Sequence, residues 1–191
     1  MSCVVHWFRN DLRVSDNPAL LAATAEAQAR GLPLLPVFAW DPAQTLPTRW
    51  VPQRMGPHRQ AWLAGSVAAL DAELQARGSR LLVLCAAPEA ALPALLSATG
   101  ALALHAEDIP APEEADQAQA IGRAAQRLGA RCSWHGQATM LALEELPFSP
   151  QDLPAVFTAF RQRVEHGTGR QAVDQPVDVG DLRAAELVVE V

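Results

Sequence analysis

Arg9, Asn10, Asp11 and Arg13 follow directly on the apolar run at residues 3–8, so charge gathers where a buried strand would end. In parallel sheets, ligands bind outside the carboxyl ends of the strands, at the switch in strand order. Phe8, Arg9 and Asn10 are therefore candidates to face a bound molecule. Arg9, Asp11, Arg13 and Asp16 could equally form a surface ion-pair network, and composition alone favours that plainer reading. A second apolar run ends in Phe38-Ala39-Trp40-Asp41-Pro42. Its two aromatic rings could stack on a planar ligand, and Asp41 could accept from a ring N–H or a hydroxyl. Alternatively Phe38 is core and Asp41 only opens a turn before Pro42. Arg54-Met55-Gly56-Pro57-His58-Arg59 then enters a long helix, with Arg59 in its first turn, where a cation opposes the helix dipole. That placement suits an anionic partner or a nearby carboxylate. A fourth apolar run leads into His105-Ala106-Glu107-Asp108-Ile109-Pro110, and Glu113-Glu114 opens the helix after it, where the dipole alone accounts for the acids.

Other chemistries lack their residues. His6, His58, His105, His135 and His166 make no metal-ligand spacing with Cys3, Cys85 and Cys132. The chain has no Gly-x-Gly-x-x-Gly, no Walker-type loop and no Gly-x-Ser-x-Gly elbow. A dinucleotide gripped by its pyrophosphate and a serine nucleophile are both disfavoured, and no self-sufficient active site is visible.

The elements that must position these residues alternate. Apolar runs predict strands at 3–8, 34–39, 81–85, 101–105 and, more weakly, 131–135, with helices at 19–30, 57–77, 89–98 and 113–128 between them. Gly31, Gly78, Gly100 and Gly129 each punctuate a helix end before a strand. Short, uniformly apolar strands joined by helices predict an α/β fold, a doubly wound five-stranded parallel sheet covered on both faces. Residues 1–136 read as the core, and 137–165 as a closing segment with a short helix near 155–165. Residues 166–191 read as a linker-like tail, in which 187–191 could pair as a strand.

The net charge is -6, and all the basic residues are Arg because the chain contains no Lys. A net acidic domain repels phosphates at long range, so independent DNA binding is not expected. No apolar run approaches a membrane span, and no secretory signal is visible at the start, so a cytoplasmic protein with reduced, buried thiols is expected.

Four segments resemble the amino-terminal α/β domain of the photolyase/cryptochrome family. They are Trp7-Phe8-Arg9-Asn10-Asp11-Leu12-Arg13 with Asp16-Asn17-Pro18; Pro36-Val37-Phe38 with Asp41-Pro42; Gly56-Pro57 with Arg59; and Leu146-Pro147-Phe148 with Leu153-Pro154 and the run from Val156 to Glu165. The last looks most like DASH-type cryptochromes. The resemblance spans roughly residues 3–165.

It implies a domain that carries a light-harvesting antenna, passing excitation to FAD in a separate helical domain for blue-light-dependent DNA repair or signalling. A flavin (FMN or FAD) or 8-hydroxy-deazaflavin antenna would be lined by Arg9, Phe38, Trp40, Asp41, Met55, Arg59 and Asp108. A methenyltetrahydrofolate antenna would lie between domains, held partly by Glu113, and is the less favoured choice because one wall is missing here. This sequence offers no helical domain and no catalytic FAD site. Deoxyribodipyrimidine photo-lyase activity is therefore expected only in company with an FAD-binding helical partner. Two other readings stay open: an interaction module that docks a separate helical half or self-associates through 146–163, and a nucleotide-binding α/β protein using ATP.

Overall fold

A computed structural model describes residues 2–50, 52–139 and 143–167. The elements run β1 (Val4–Phe8), α1 (Pro18–Arg30), β2 (Leu34–Ala39), α2 (Pro57–Ala76), β3 (Leu82–Leu84), α3 (Pro88–Thr99), β4 (Ala103–Asp108), α4 (Pro112–Arg127), β5 (Arg131–Gly136) and α5 (Phe157–Gly167). Short 3-10 turns occupy Pro42–Thr45, Leu143–Glu145 and Pro150–Asp152. The strands form one five-stranded parallel sheet in the order β3-β2-β1-β4-β5. The expected doubly wound architecture is present, with β1 at the switch in strand order.

Local sequence sets these boundaries. Each of the first four helices opens on a proline, Pro18, Pro57, Pro88 or Pro112. Proline is pre-set for the first helical position and lacks an amide that would go unpaired there. Gly31 and Gly100 end α1 and α3 at φ 63° and 59°, a left-handed conformation that a side chain would disfavour.

Alternation along β1 divides the core. Val4 and Phe8 face Leu20 and Ala23 of α1 and Leu70 and Leu74 of α2. Val5 and Trp7 face Leu92 and Leu96 of α3 and Ile121 and Ala125 of α4. A side-chain period of two places α1 and α2 on one face and α3 and α4 on the other.

Three expectations change. The fourth strand starts at Ala103 because the Ala101 amide still closes α3 by donating to Leu96 O (3.2 Å), and it runs on to Asp108 in register with Gly136. The thiols are not uniformly buried: Cys3 is buried and Cys132 half-buried, while Cys85 falls just beyond the three-residue edge strand β3 and is exposed. The closing helix begins at Phe157 and extends through His166 to Gly167, taking in residues assigned to the tail. The rest of that tail, with the proposed strand at 187–191, and Met140 lie outside the described residues. None of the described helices is long and apolar enough to cross a membrane.

Candidate functional site: a crevice at the strand tips

The turn after β1 is held from below by a buried polar staple. Asp11 Oδ1 accepts from the Arg9 amide (2.8 Å), and Oδ2 accepts from Asn17 Nδ2 (2.9 Å) and Gln137 Nε2 (2.6 Å). Asn17 Oδ1 caps α1 at the Leu20 amide (3.0 Å), and Gln137 Oε1 takes the Ala19 amide (2.9 Å). One carboxylate thus ties the turn to the start of α1 and to the end of β5. Arg13 and Asp16 do form the surface ion pair that composition suggested, at 3.7 Å, but Arg9 and Asp11 are buried.

Arg9 spans the layer between β1 and α4. Its guanidinium donates to Glu107 O (3.0 Å), Glu114 O (3.4 Å) and Gln117 Oε1 (3.3 Å), and lies 4.6 Å over the Trp7 ring. Gln117 Nε2 in turn donates to Glu89 at the start of α3 (3.1 Å). Burial lowers the Arg9 pKa, opposed by the surrounding carboxylates of Glu107, Glu114, Asp108 and Asp11. Burial and the Asp11 charge raise that of Glu107, whose carboxylate accepts from the Asn10 amide (3.3 Å).

Above this floor opens a crevice of about 580 Å³. Its base is formed by the tips of β1 (Trp7, Phe8, Arg9) and β2 (Phe38, Ala39, Trp40). Arg59, Trp62 and Leu63 of α2 form one wall, and Pro88, Glu89, Glu113, Glu114 and Gln117 of α3 and α4 the other. Asp41, Gln44, Arg54 and Met55 come from the connection between β2 and α2. Phe38 and Trp40 meet edge to face, 6.3 Å between centroids. Asp41 caps the 3-10 turn, accepting from the Ala43 amide (2.9 Å). Volume and aromatic lining both fit a planar, multi-ring guest, since pockets for such ligands run ~300–1,000 Å³.

Seven of the eight residues singled out by sequence, Arg9, Phe38, Trp40, Asp41, Met55, Arg59 and Glu113, line this crevice. Asp108 is the exception. Strand alternation turns the buried Glu107 towards α1 and leaves Asp108 exposed, while Ile109, just past the strand end, reaches the wall. Glu113 does not stand free for a guest: both its oxygens are held by Arg54, with Nη2 to Oε1 at 2.8 Å. That ion pair lowers the Glu113 pKa through the hydrogen bond and the guanidinium charge.

Sequence reasoning passed over a second polar cluster under α1. His105 Nδ1 lies 3.1 Å from His135 Nε2, and His105 Nε2 lies 2.9 Å from Glu26, which also pairs with Arg30 (2.9 Å) and Arg131. His6 is fully buried beside His105 in register, edge-on to Phe8, with no hydrogen-bond partner for either ring nitrogen. Burial pushes the His6 pKa down to about 4. Among the described residues, no group of three or more His, Cys, Asp or Glu is placed to hold a metal. The available signal was a histidine in each of three predicted strands, His6 within the first and His105 and His135 at the ends of the fourth and fifth.

A family model described as DNA photolyase matches residues 4–178. Cryptochrome DASH of Natronomonas pharaonis is 34% identical over 165 residues, 86% of this chain and 34% of that protein. A crystal structure of the Synechocystis cryptochrome superposes with a TM-score of 0.90 at 30% identity, covering 100% of this chain and 39% of that one. The photolyase of Sulfolobus tokodaii, solved with two FAD molecules, shares the fold, with a TM-score of 0.72 at 22% identity over 97% of this chain and 38% of that one. The chain spans about a third of the length of the curated relatives it matches. With the strand order, the switch-point crevice and the matched segments in agreement, the chain belongs to the DNA photolyase family and corresponds to its amino-terminal α/β domain.

Proposed function

We propose that this domain binds a planar antenna chromophore, a flavin or a deazaflavin, in the crevice over β1 and β2. The single observation that carries the reading is an open cavity of about 580 Å³ lined by Phe38, Trp40 and Trp62. Aromatic faces suit a multi-ring guest, and water is displaced from both surfaces on binding. Arg59, uncommitted to any partner among the described residues, suits an anionic group on the guest, such as a phosphate-bearing side chain. A folate antenna is the weaker choice, because the carboxylate of Glu113 is already engaged by Arg54. When bound, such a chromophore would absorb blue light. The role of this chain's residues is to hold and orient it and to exclude water. Light-dependent repair or signalling would require an FAD-binding helical partner. A net charge of -6 argues against the domain seeking DNA alone.

The test is titration of the purified chain with riboflavin, FMN, deazaflavin and methenyltetrahydrofolate, followed by fluorescence. Flavin or deazaflavin should bind, and Trp40→Ala should weaken binding about tenfold, the effect of ~1.4 kcal/mol of stacking. An unchanged spectrum with every chromophore would overturn the reading.

A second reading rests on a different surface. No residue of α5 is buried, and Leu153, Val156 and Phe157 are exposed nearby (57%, 62% and 74%). An apolar strip of this kind supports docking against a separate helical half or a second copy. A chain that stays monomeric at high concentration and ignores an added helical half in size-exclusion chromatography would exclude it.

A further inference from the structure

Among the residues that line the crevice, the ion pair of Arg54 and Glu113 joins the two layers of the fold. Arg54 belongs to the connection leading into α2, which packs on the α1 face of the sheet. Glu113 sits in the first turn of α4, on the opposite face. The two residues are 59 positions apart, and their side chains meet in a two-pronged arrangement over the strand tips. Both line the crevice from opposite sides and both are partly open to solvent, so the pair bridges its two walls at an exposed rim.

The surroundings make the contact reversible. Both side chains remain largely solvent-accessible, 47% for Arg54 and 67% for Glu113. Exposed ion pairs are weakly held and screened by salt, so this one opens readily. The backbone next to Arg54 is anchored more firmly. The Met55 amide donates to Gln44 O (2.9 Å), and Met55 O accepts from Gln60 Nε2 (2.7 Å). Met55 itself is buried, so the loop keeps its place while the arginine head swings. The planar guanidinium fork matches a carboxylate in a way that a lysine would not.

The geometry points to a latch: the Arg54–Glu113 pair closes the crevice over its guest, and its opening sets the rate at which the guest leaves. This rests on the proposed chromophore site, and it adds a way of controlling that site. It also gives Glu113 a role in gating in place of direct ligation.

The experiment measures riboflavin dissociation from the full chain by stopped-flow fluorescence, at salt concentrations from ~50 to ~500 mM, a range over which the Debye length falls several-fold. Arg54→Ala and Glu113→Gln should each release riboflavin several-fold faster than the parent. Release from the parent should quicken with salt, while release from the single variants stays flat. The exchanged pair, Arg54→Glu with Glu113→Arg, should recover most of the slow rate. Equal rates in parent and single variants, independent of salt, would overturn the latch. If riboflavin does not bind the parent at all, the ligand reading fails and the latch is judged without it. In the ligand-free chain, NMR titration of the Glu113 carboxyl should then show a higher pKa in Arg54→Ala than in the parent, because the paired guanidinium is gone, and an unchanged value would sink the latch as well.

Discussion

Arg9 shows how a residue suited to gripping a ligand can be committed to the framework. Its guanidinium satisfies the carbonyls of Glu107 and Glu114 and the amide oxygen of Gln117, and covers the Trp7 ring. Removing it leaves acceptors unpaired beneath the crevice floor, and each such group costs ~1–3 kcal/mol. Arg9→Ala should therefore lower unfolding stability by about 2–3 kcal/mol in urea melts, whether or not a chromophore is present. A residue acting only on the ligand would leave the unliganded melt unchanged. The sequence showed Arg9 at a strand tip but could not show where its donors go, because Glu107, Glu114 and Gln117 are 98 to 108 positions away. Only the pairing of β1 with β4 brings them together. The same distance hid the partner of Glu113, whose place in a first helical turn already had a sufficient local explanation.

At the level of elements, the sheet stores its acid sensitivity in three neighbouring strands. His6 on β1, His105 on β4 and His135 on β5 lie under or beside α1, with Glu26 of that helix as the carboxylate that reaches His105. One neutral arrangement satisfies both contacts: His135 donates to His105, which donates to Glu26. Burial lowers the His135 pKa, and the charge of His105 adds to the effect. His6 is held down to about 4 from 6.5, so the unfolded chain takes up that proton first. Stability is then full above pH 6.5 and is lost as pH falls towards about 4, by ~3 kcal/mol for His6 alone. Urea melts across this window should show the decline, and His6→Leu should flatten part of it without loss at pH 7, since it removes two unpartnered ring nitrogens. An unchanged slope in that variant would show that the burden lies elsewhere. The elements themselves were legible from pattern: apolar runs marked the strands, and Gly31, Gly78, Gly100 and Gly129 marked where the helices between them end. The fourth strand was misplaced because Ala101 is apolar enough for a strand yet its amide completes the preceding helix.

Across the whole molecule, the fold and the position of its crevice could be read from alternation and from aromatic and charged residues at strand ends. What closes the crevice could not, since Arg54 and Glu113 look like ordinary surface charges until the layers are assembled. The crevice and the exposed strip near α5 are separate surfaces and can be probed separately. One further feature gives the means. The three thiols differ sharply in access: Cys3 is buried, and Cys132 is half-buried with its pKa raised by burial to about 11, whereas Cys85 lies open just after β3. Since the thiolate is the reactive form, a maleimide dye should attach once per native chain, at Cys85, and three times after denaturation, as counted by intact mass. The wild-type chain therefore comes with a single built-in handle a few residues from Pro88 and Glu89 of the crevice wall, ready to carry a fluorophore without engineering a cysteine.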